Sequence, residues 1–224
     1  MSQATVHTLR MKSPGFINYT YIVVDNLTRN CIIIDPSWEI DKIYQILIRE
    51  GIFLNSIFLT HSHFDHTNLV KQLVSEFNIK VYMSRIEADY YKYNCKNLKV
   101  IEDKQTIEFS NNFIVTCYLS PGHTKGSMIY AVDNNIFTGD TIFTEGCGIC
   151  NSRGGSSEDM FNTVQFVRGF PKETIVWPGH AFNKEPGKSL DQVFRDNIYF
   201  SIERKEDFIR FSDRKERGNI FKFI

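Results

Sequence analysis

Five of the six histidines in this chain fall in three short segments, each directly behind a run of β-forming residues. The first is Thr60-His61-Ser62-His63-Phe64-Asp65-His66, which follows Ile57 to Leu59. The second is Pro121-Gly122-His123-Thr124, behind Phe113 to Leu119, and the third is Trp177-Pro178-Gly179-His180, behind Thr174 to Val176. A fourth segment, Phe137-Thr138-Gly139-Asp140-Thr141, places an aspartate at a strand end. For these side chains to act together, strands far apart in sequence must end at one edge. Few architectures allow that.

The first segment carries its own geometry. In an extended stretch, residues two apart point the same way, so His61 and His63 can converge on one ion. Asp65 and His66 follow where the chain turns into a helix, within reach of a second, adjacent ion. Imidazole nitrogen and carboxylate oxygen are donors that zinc, iron and manganese accept. His123, Asp140 and His180 stand beside Gly or Pro, and glycine permits the tight turns that present a side chain at a sheet edge. A lone histidine is ordinarily a packed or surface residue, and His7, outside every motif, reads as exposed. Four ligand-type residues between His61 and His66 are poorly explained as a solvated polar loop.

The remaining sequence alternates strands and helices. Phe16 to Val24 and Cys31 to Asp35 read as strands joined by a polar turn, a hairpin closed by Pro36. Trp38 to Glu50 has apolar residues at helical spacing and ends at Gly51. Ile57 to Thr60 and Lys80 to Met83 read as strands, and Thr67 to Phe77 and Arg85 to Tyr91 as helices. Thr106 to Phe109 and Phe113 to Leu119 flank Asn111-Asn112, and Met128 to Val132 and Ile136 to Asp140 flank Asp133 to Asn135, which predicts two more hairpins. Ser156 to Arg168 is a helix with Ser156 as its N-cap and Gly169 as its stop. Ser189 to about Arg217 is a long amphipathic segment, expected to be a C-terminal helix. Hairpins in both halves disfavour a simple doubly wound parallel sheet. They fit two packed mixed sheets with helices outside, in one domain spanning 1–224.

Composition narrows the function classes. At 42% hydrophobic and 23% charged residues the chain is that of a folded globular protein. Lys plus Arg equals Asp plus Glu at 26, so no basic excess suggests a nucleic-acid or anionic-membrane partner. No apolar run approaches the roughly 20 residues of a membrane helix, and residues 1–10 lack the apolar core of a signal peptide. Five cysteines at irregular spacing argue against a disulfide framework and for a reducing, cytoplasmic location.

His61-x-His63-x-Asp65-His66, followed by His123, Asp140 and His180, resembles the ligand signature of the metallo-β-lactamase superfamily. The resemblance covers roughly residues 15–185. It implies an α/β fold, a four-layer αββα sandwich with the metal site at one edge of its two sheets. It also implies roles: His61, His63 and His123 for a first metal, Asp65, His66 and His180 for a second, and Asp140 bridging. Two zinc ions per chain are the expected cofactor, with iron or manganese as alternatives. Asp35, which ends the first hairpin, matches a recurring family feature without an assigned role.

Within the superfamily, Asp65 together with an acidic bridge at Asp140 resembles the glyoxalase II-like branch. Phe143 to Met160 is similar to the zinc-dependent hydrolases of trans-acyltransferase polyketide synthase clusters, as are Pro178-Gly179-His180-Ala181-Phe182, Lys184 to Gly187, and Asn197 to Phe200. That likeness implies hydrolysis of acyl thioesters on acyl carrier protein in polyketide biosynthesis. On that reading the metals would activate water for attack on the thioester carbonyl, and Asp65 would orient that water and shuttle its proton. Hydrolysis of glutathione thioesters, as by glyoxalase II, is one alternative, although the stretch after His180 is short for that enzyme's glutathione-gripping extension. A mononuclear iron persulfide dioxygenase, which shares the first motif and a Gly-Cys-Gly like Gly146-Cys147-Gly148, is another.

Three further features have plainer readings. Cys147-x-x-Cys150 has no second pair to complete a zinc ribbon and reads as a structural loop near the site. Arg153, in the same loop, reads as a surface arginine. The mixed charges from Glu203 to Arg217 read as a solvated helix face, and Ile220 to Ile224 as an apolar end that docks on this chain or a neighbour.

Overall fold

Every residue from Asn18 to Asp25 is buried, including the ones that alternate toward opposite faces. A strand shows that pattern only when both of its faces are covered. The computed structural model describes residues 4–110 and 113–214, and two six-stranded mixed sheets account for the burial. The first contains, in spatial order, β1 (Ala4–Ser13), β2 (Phe16–Asp25), β3 (Asn30–Ile34), β4 (Phe53–Phe58), β5 (Lys80–Ser84) and β6 (Leu98–Ile101). The second contains β7 (Thr106–Ser110), β8 (Phe113–Leu119), β9 (Met128–Val132), β10 (Asn135–Gly139), β11 (Ile175–Pro178) and β12 (Lys188–Ser189), also in that order across the sheet.

Side-chain alternation sorts these strands into layers. Ile22, Val24, Ile33 and Ile57 pack outward beneath α1 (Ile40–Glu50), α3 (Val70–Phe77) and α4 (Arg85–Tyr91), against Ile43, Leu47, Leu73, Val74 and Ala88. Their neighbours Tyr21, Val23, Ile32 and Ile34 point the other way, onto Val115, Met128, Tyr130 and Phe137 of the second sheet. The far face of that sheet, with Ile129, Ile136 and Val176, lies under α5 (Ser157–Val167), α6 (Leu190–Asp196) and α7 (Lys205–Ser212). The result is the four-layer αββα sandwich expected from the sequence. Each fully buried aliphatic or aromatic side chain in these layers contributes about 1.5–3 kcal/mol, so the period-2 pattern is the main stabilising term.

Connections place the strand ends. β3, β4, β5 and β6 run parallel, with helices between them, and β10 and β11 run parallel across α5. Antiparallel hairpins join β1 to β2, β2 to β3, β7 to β8 and β9 to β10. The sheets are stitched at one edge. Tyr19 N–H donates to Gly179 O at 2.8 Å, and Met128 N–H donates to Thr60 O at 2.9 Å. The Tyr21 and Tyr130 hydroxyls donate across the same gap to Pro178 O and Leu59 O, both at 2.6 Å.

Several expectations change. The stretch Thr67 to Phe77 is not one helix: α2 (Phe64–Thr67) is a single turn that starts inside the histidine motif, and α3 follows it. β1 and β6, which lack a strong hydrophobic run, owe their existence to pairing with β2 and β5. The amphipathic segment from Ser189 divides into α6, a 3-10 turn at Ile198–Ser201 and α7. The break has a local cause: Asn197 takes an extended conformation and caps the 3-10 turn by accepting from Tyr199 N–H. Lys215 to Arg217, the terminal Ile220 to Ile224 and the Asn111-Asn112 turn lie outside the described residues. Among the described residues, no helix is long and apolar enough to cross a membrane.

Candidate metal centre

The loops behind β4, β8, β10 and β11 meet at the stitched edge, and all seven sequence-predicted ligand residues arrive there. His63 is extended (φ −62°, ψ 144°) and α2 begins at the next residue. That keeps His61 and His63 on one side while Asp65 and His66 swing to the other. His61 Nε2 and His123 Nε2 each lie 3.0 Å from His63 Nδ1. Three imidazole nitrogens with tetrahedral zinc bonds of about 2.0–2.1 Å stand roughly 3.3 Å apart. The cluster is therefore set at nearly the spacing a zinc ion needs.

The second cluster adjoins the first. Asp65 Oδ2 is 3.3 Å from His180 Nε2 and 3.5 Å from His66 Nε2. Asp140 stands between the clusters: its Oδ2 is 3.6 Å from His123 Nε2 and 3.4 Å from His180 Nε2, and its Oδ1 is 3.4 Å from His66 Nε2. That Oδ1 is buried and takes no hydrogen bond among the described residues, as expected of an atom shaped to meet a cation. Gly179 is required here for space. A Cβ on it would lie 2.5 Å from Asp140 Oδ1 and 2.7 Å from His66 Cε1.

The outward-facing ring nitrogens decide which lone pairs face the centre. His66 Nδ1 lies 3.0 Å from Asp35 Oδ2, His123 Nδ1 2.8 Å from Ile149 O, and His180 Nδ1 2.6 Å from Ile17 O. An acceptor behind Nδ1 holds a proton there and turns Nε2 toward the centre, the arrangement typical of metal-ligating histidines. Ile149 supplies this carbonyl from the Cys147 to Cys150 loop, which a β-bridge between Ile142 and Cys147 anchors.

Asp35 was noted in the sequence without a role; its φ of 50° aims the side chain under the site. Besides His66 it accepts from Thr60 N–H at 2.8 Å and Thr60 Oγ1–H at 2.6 Å. Asn18 carried no signal beyond its place in a strand. It donates to Asp65 Oδ2 at 3.0 Å and accepts from the Trp38 indole N–H at 2.7 Å. His7, expected to be exposed, is half-buried on β1 and belongs to none of these clusters.

Electrostatics differ across Asp140. Burial, then the nearby His66 charge, pushes His61 well below the usual histidine range, and burial lowers His123. Burial is the largest single effect on His66 and His180 too, but the Asp140 charge and the hydrogen bonds to Asp140, with those to Asp35 and Asp65 respectively, together outweigh it. His66 is raised well above its usual value and His180 to about 9. Burial opposes ionisation of Asp140 as well, yet the His180 and His66 charges hold it well below the carboxylate range. Asp65 is likewise lowered, its burial outweighed chiefly by the hydrogen bond from His180.

Comparison with known proteins gives one family. The family model of the metallo-beta-lactamase superfamily matches residues 13–180, a span that includes all seven candidate ligands. The chain is 46% identical to the "Probable polyketide biosynthesis zinc-dependent hydrolase PksB" of Bacillus subtilis (strain 168) over 219 residues, 97% of each chain. It is 44% identical to BaeB of Bacillus velezensis, described in the same words, over the same shares. Among solved structures, ETHE1 from Myxococcus xanthus shares the fold with a TM-score of 0.83 at 24% identity, covering 95% of this chain and 92% of that one.

Proposed function

The chain belongs to the metallo-β-lactamase superfamily, and from that premise we propose that it is a zinc-dependent hydrolase that cleaves acyl thioesters carried on acyl carrier protein. His61, His63 and His123 would hold one zinc ion, and Asp65, His66 and His180 a second, with the Asp140 carboxylate standing between the two groups of ligands. The observation that carries this reading is the set of Nδ1 acceptors, Asp35, Ile149 O and Ile17 O, which turn Nε2 of three separate histidines toward one centre. Polyketide chemistry enters through the likeness to the two Bacillus proteins.

Zinc, when bound, supplies Lewis acidity that polarises a carbonyl and brings the pKa of water from ~15.7 toward ~7. The chain's own groups do the rest. Asp65 stays ionised at neutral pH, and Asn18 fixes its carboxylate through Oδ2. It orients the attacking water and takes its proton. Phe143 packs edge-on to His180 at 6.2 Å and to Phe182 at 5.2 Å, an apolar wall that limits water beside the reacting carbonyl. The departing group leaves as a thiolate with little need of a general acid, since even an ordinary cysteine thiol has a pKa of only about 8.5.

The test is metal analysis of untagged protein purified without chelators, followed by hydrolysis assays. Two zinc ions per chain and faster turnover of acyl carrier protein thioesters than of lactoylglutathione are expected. Preference for lactoylglutathione moves the substrate to glutathione thioesters. One iron per chain with oxygen consumption on glutathione persulfide overturns the hydrolase reading.

A further inference from the structure

Glu87 lies on α4, outside every motif that bears on metal chemistry, and is fully buried. Its carboxylate meets four donors. Oε1 accepts from Ser62 N–H at 2.8 Å and Ser62 Oγ–H at 2.7 Å. Oε2 accepts from Thr124 Oγ1–H at 2.8 Å and Gly126 N–H at 3.0 Å. Ser62 separates His61 from His63, and Thr124 follows His123. One oxygen therefore serves the loop behind the first sheet, and the other serves the turn behind the second.

Filling space does not require a carboxylate here. Burying one is costly unless its oxygens are satisfied, and among the described residues no cation pairs with it. A carboxylate alone places two double acceptors a fixed distance apart, and here that distance spans the two loops. The turn is pressed onto α4 as well: a Cβ on Gly126 would lie 2.2 Å from Glu87 N and 2.7 Å from Ser84 Oγ. We propose that Glu87 is a positioning residue that sets the spacing of His61, His63 and His123 and so the affinity of the metal they hold. The inference rests on the ligand assignment above. It is selective, because Asp65, His66 and His180 are oriented by Asn18, Asp35 and Ile17 O, none of which touches Glu87.

The variant Glu87→Gln keeps the shape and breaks the pattern. Whichever side its NH2 group takes, it faces a backbone N–H, of Ser62 or of Gly126, that then loses its acceptor. The milder Thr124→Val removes a single hydroxyl donor and keeps the test readable should Glu87→Gln fail to fold. Zinc affinities of both sites are measured by chelator competition, with the absorption spectrum of cobalt-substituted protein to tell the sites apart. Glu87→Gln is expected to weaken one site about 10- to 100-fold and leave the other at the wild-type value, with one cobalt component lost. Thr124→Val shifts the same site by less. Wild-type affinity at both sites in both variants overturns the proposal, as does equal weakening of both sites alongside a lowered melting temperature. Wild-type protein that takes up no zinc in the same titration overturns the ligand assignment itself.

Discussion

On one side of Asp140 stand three imidazoles, His61, His63 and His123; on the other stand two imidazoles and a carboxylate, His66, His180 and Asp65. The first group is held from behind by neutral groups: the Thr60 hydroxyl 3.0 Å from His61 Nδ1 and the Ile149 carbonyl behind His123. The second is held in part by a buried charge, Asp35, behind His66. Their protonation follows. His61 and His123 are depressed toward the neutral form, and His66 and His180 are raised toward the charged form by the carboxylates around them. Neutral imidazoles are ready to bind metal, whereas in the second group protons stand where a metal's charge is wanted, and binding must displace them. On the proposed ligand assignment, the two groups thus differ in what they must give up to take a metal.

The largest expected effect comes from disrupting the three-imidazole side. His63→Ala, which deletes the nitrogen central to the first cluster, is expected to lower kcat about a thousandfold and to leave one zinc per chain by metal analysis. Wild-type turnover by a one-zinc His63→Ala protein breaks the comparison, since the second cluster would then suffice. Asp35→Ala acts on the charged side. It strips Thr60 N–H, Thr60 Oγ1–H and His66 Nδ1 of their shared partner, and denaturant unfolding should show a loss of about 3 kcal/mol. The second zinc should weaken with it, and the first should weaken by less, because the Thr60 hydroxyl behind His61 loses the same partner.

Asn18→Ala sharpens the picture at a smaller scale. Asp65 loses its orienting donor but keeps its histidine partners, so kcat should drop about tenfold with two zinc ions retained. A loss of metal equal to that of Asp35→Ala would make Asn18 part of the scaffold of the second site. The smallest effect concerns pH. His180 is raised from 6.5 to about 9 in the folded chain, so its contribution to stability is fully present below 6.5 and is lost as pH rises through 9. Chelator-treated protein should melt a few degrees lower (on the order of 3 °C) at pH 9 than at pH 6.5. Zinc-loaded protein should lack that slope, and an equal slope in both would remove the protons from the account.

Much of the site was legible because its ligands are chemically unusual and locally clustered. The spacing of His61 and His63 implied a shared direction, and the extended backbone at His63 provides it. His123, Asp140 and His180 were legible as strand-end residues. Their partners were not. Asp35 matched a recurring family feature but its role was hidden, Asn18 is an interior strand residue and Glu87 one of many helical glutamates; each acts through a contact across at least twenty-five positions of sequence. The same limit applies to the fold. Alternating apolar residues in β2 and β3 announce buried strands, but β1 and β6 exist through pairing alone, and the single amphipathic stretch after Ser189 conceals the break at Asn197.

By itself the sequence determined the donor chemistry and the layers: which atoms can bind a metal, and which side chains must leave water. Periodicity and side-chain chemistry are local properties and survive in a linear string. Only the tertiary structure decided how far apart the donors stand, which imidazole nitrogen faces inward and which carboxylates keep their protons off. Those quantities depend on distances between segments that the chain separates and the two packed sheets bring together. The 3.0 Å between His63 Nδ1 and His123 Nε2 spans sixty residues of sequence, and it is held by hydrogen bonds from groups that no local pattern distinguishes.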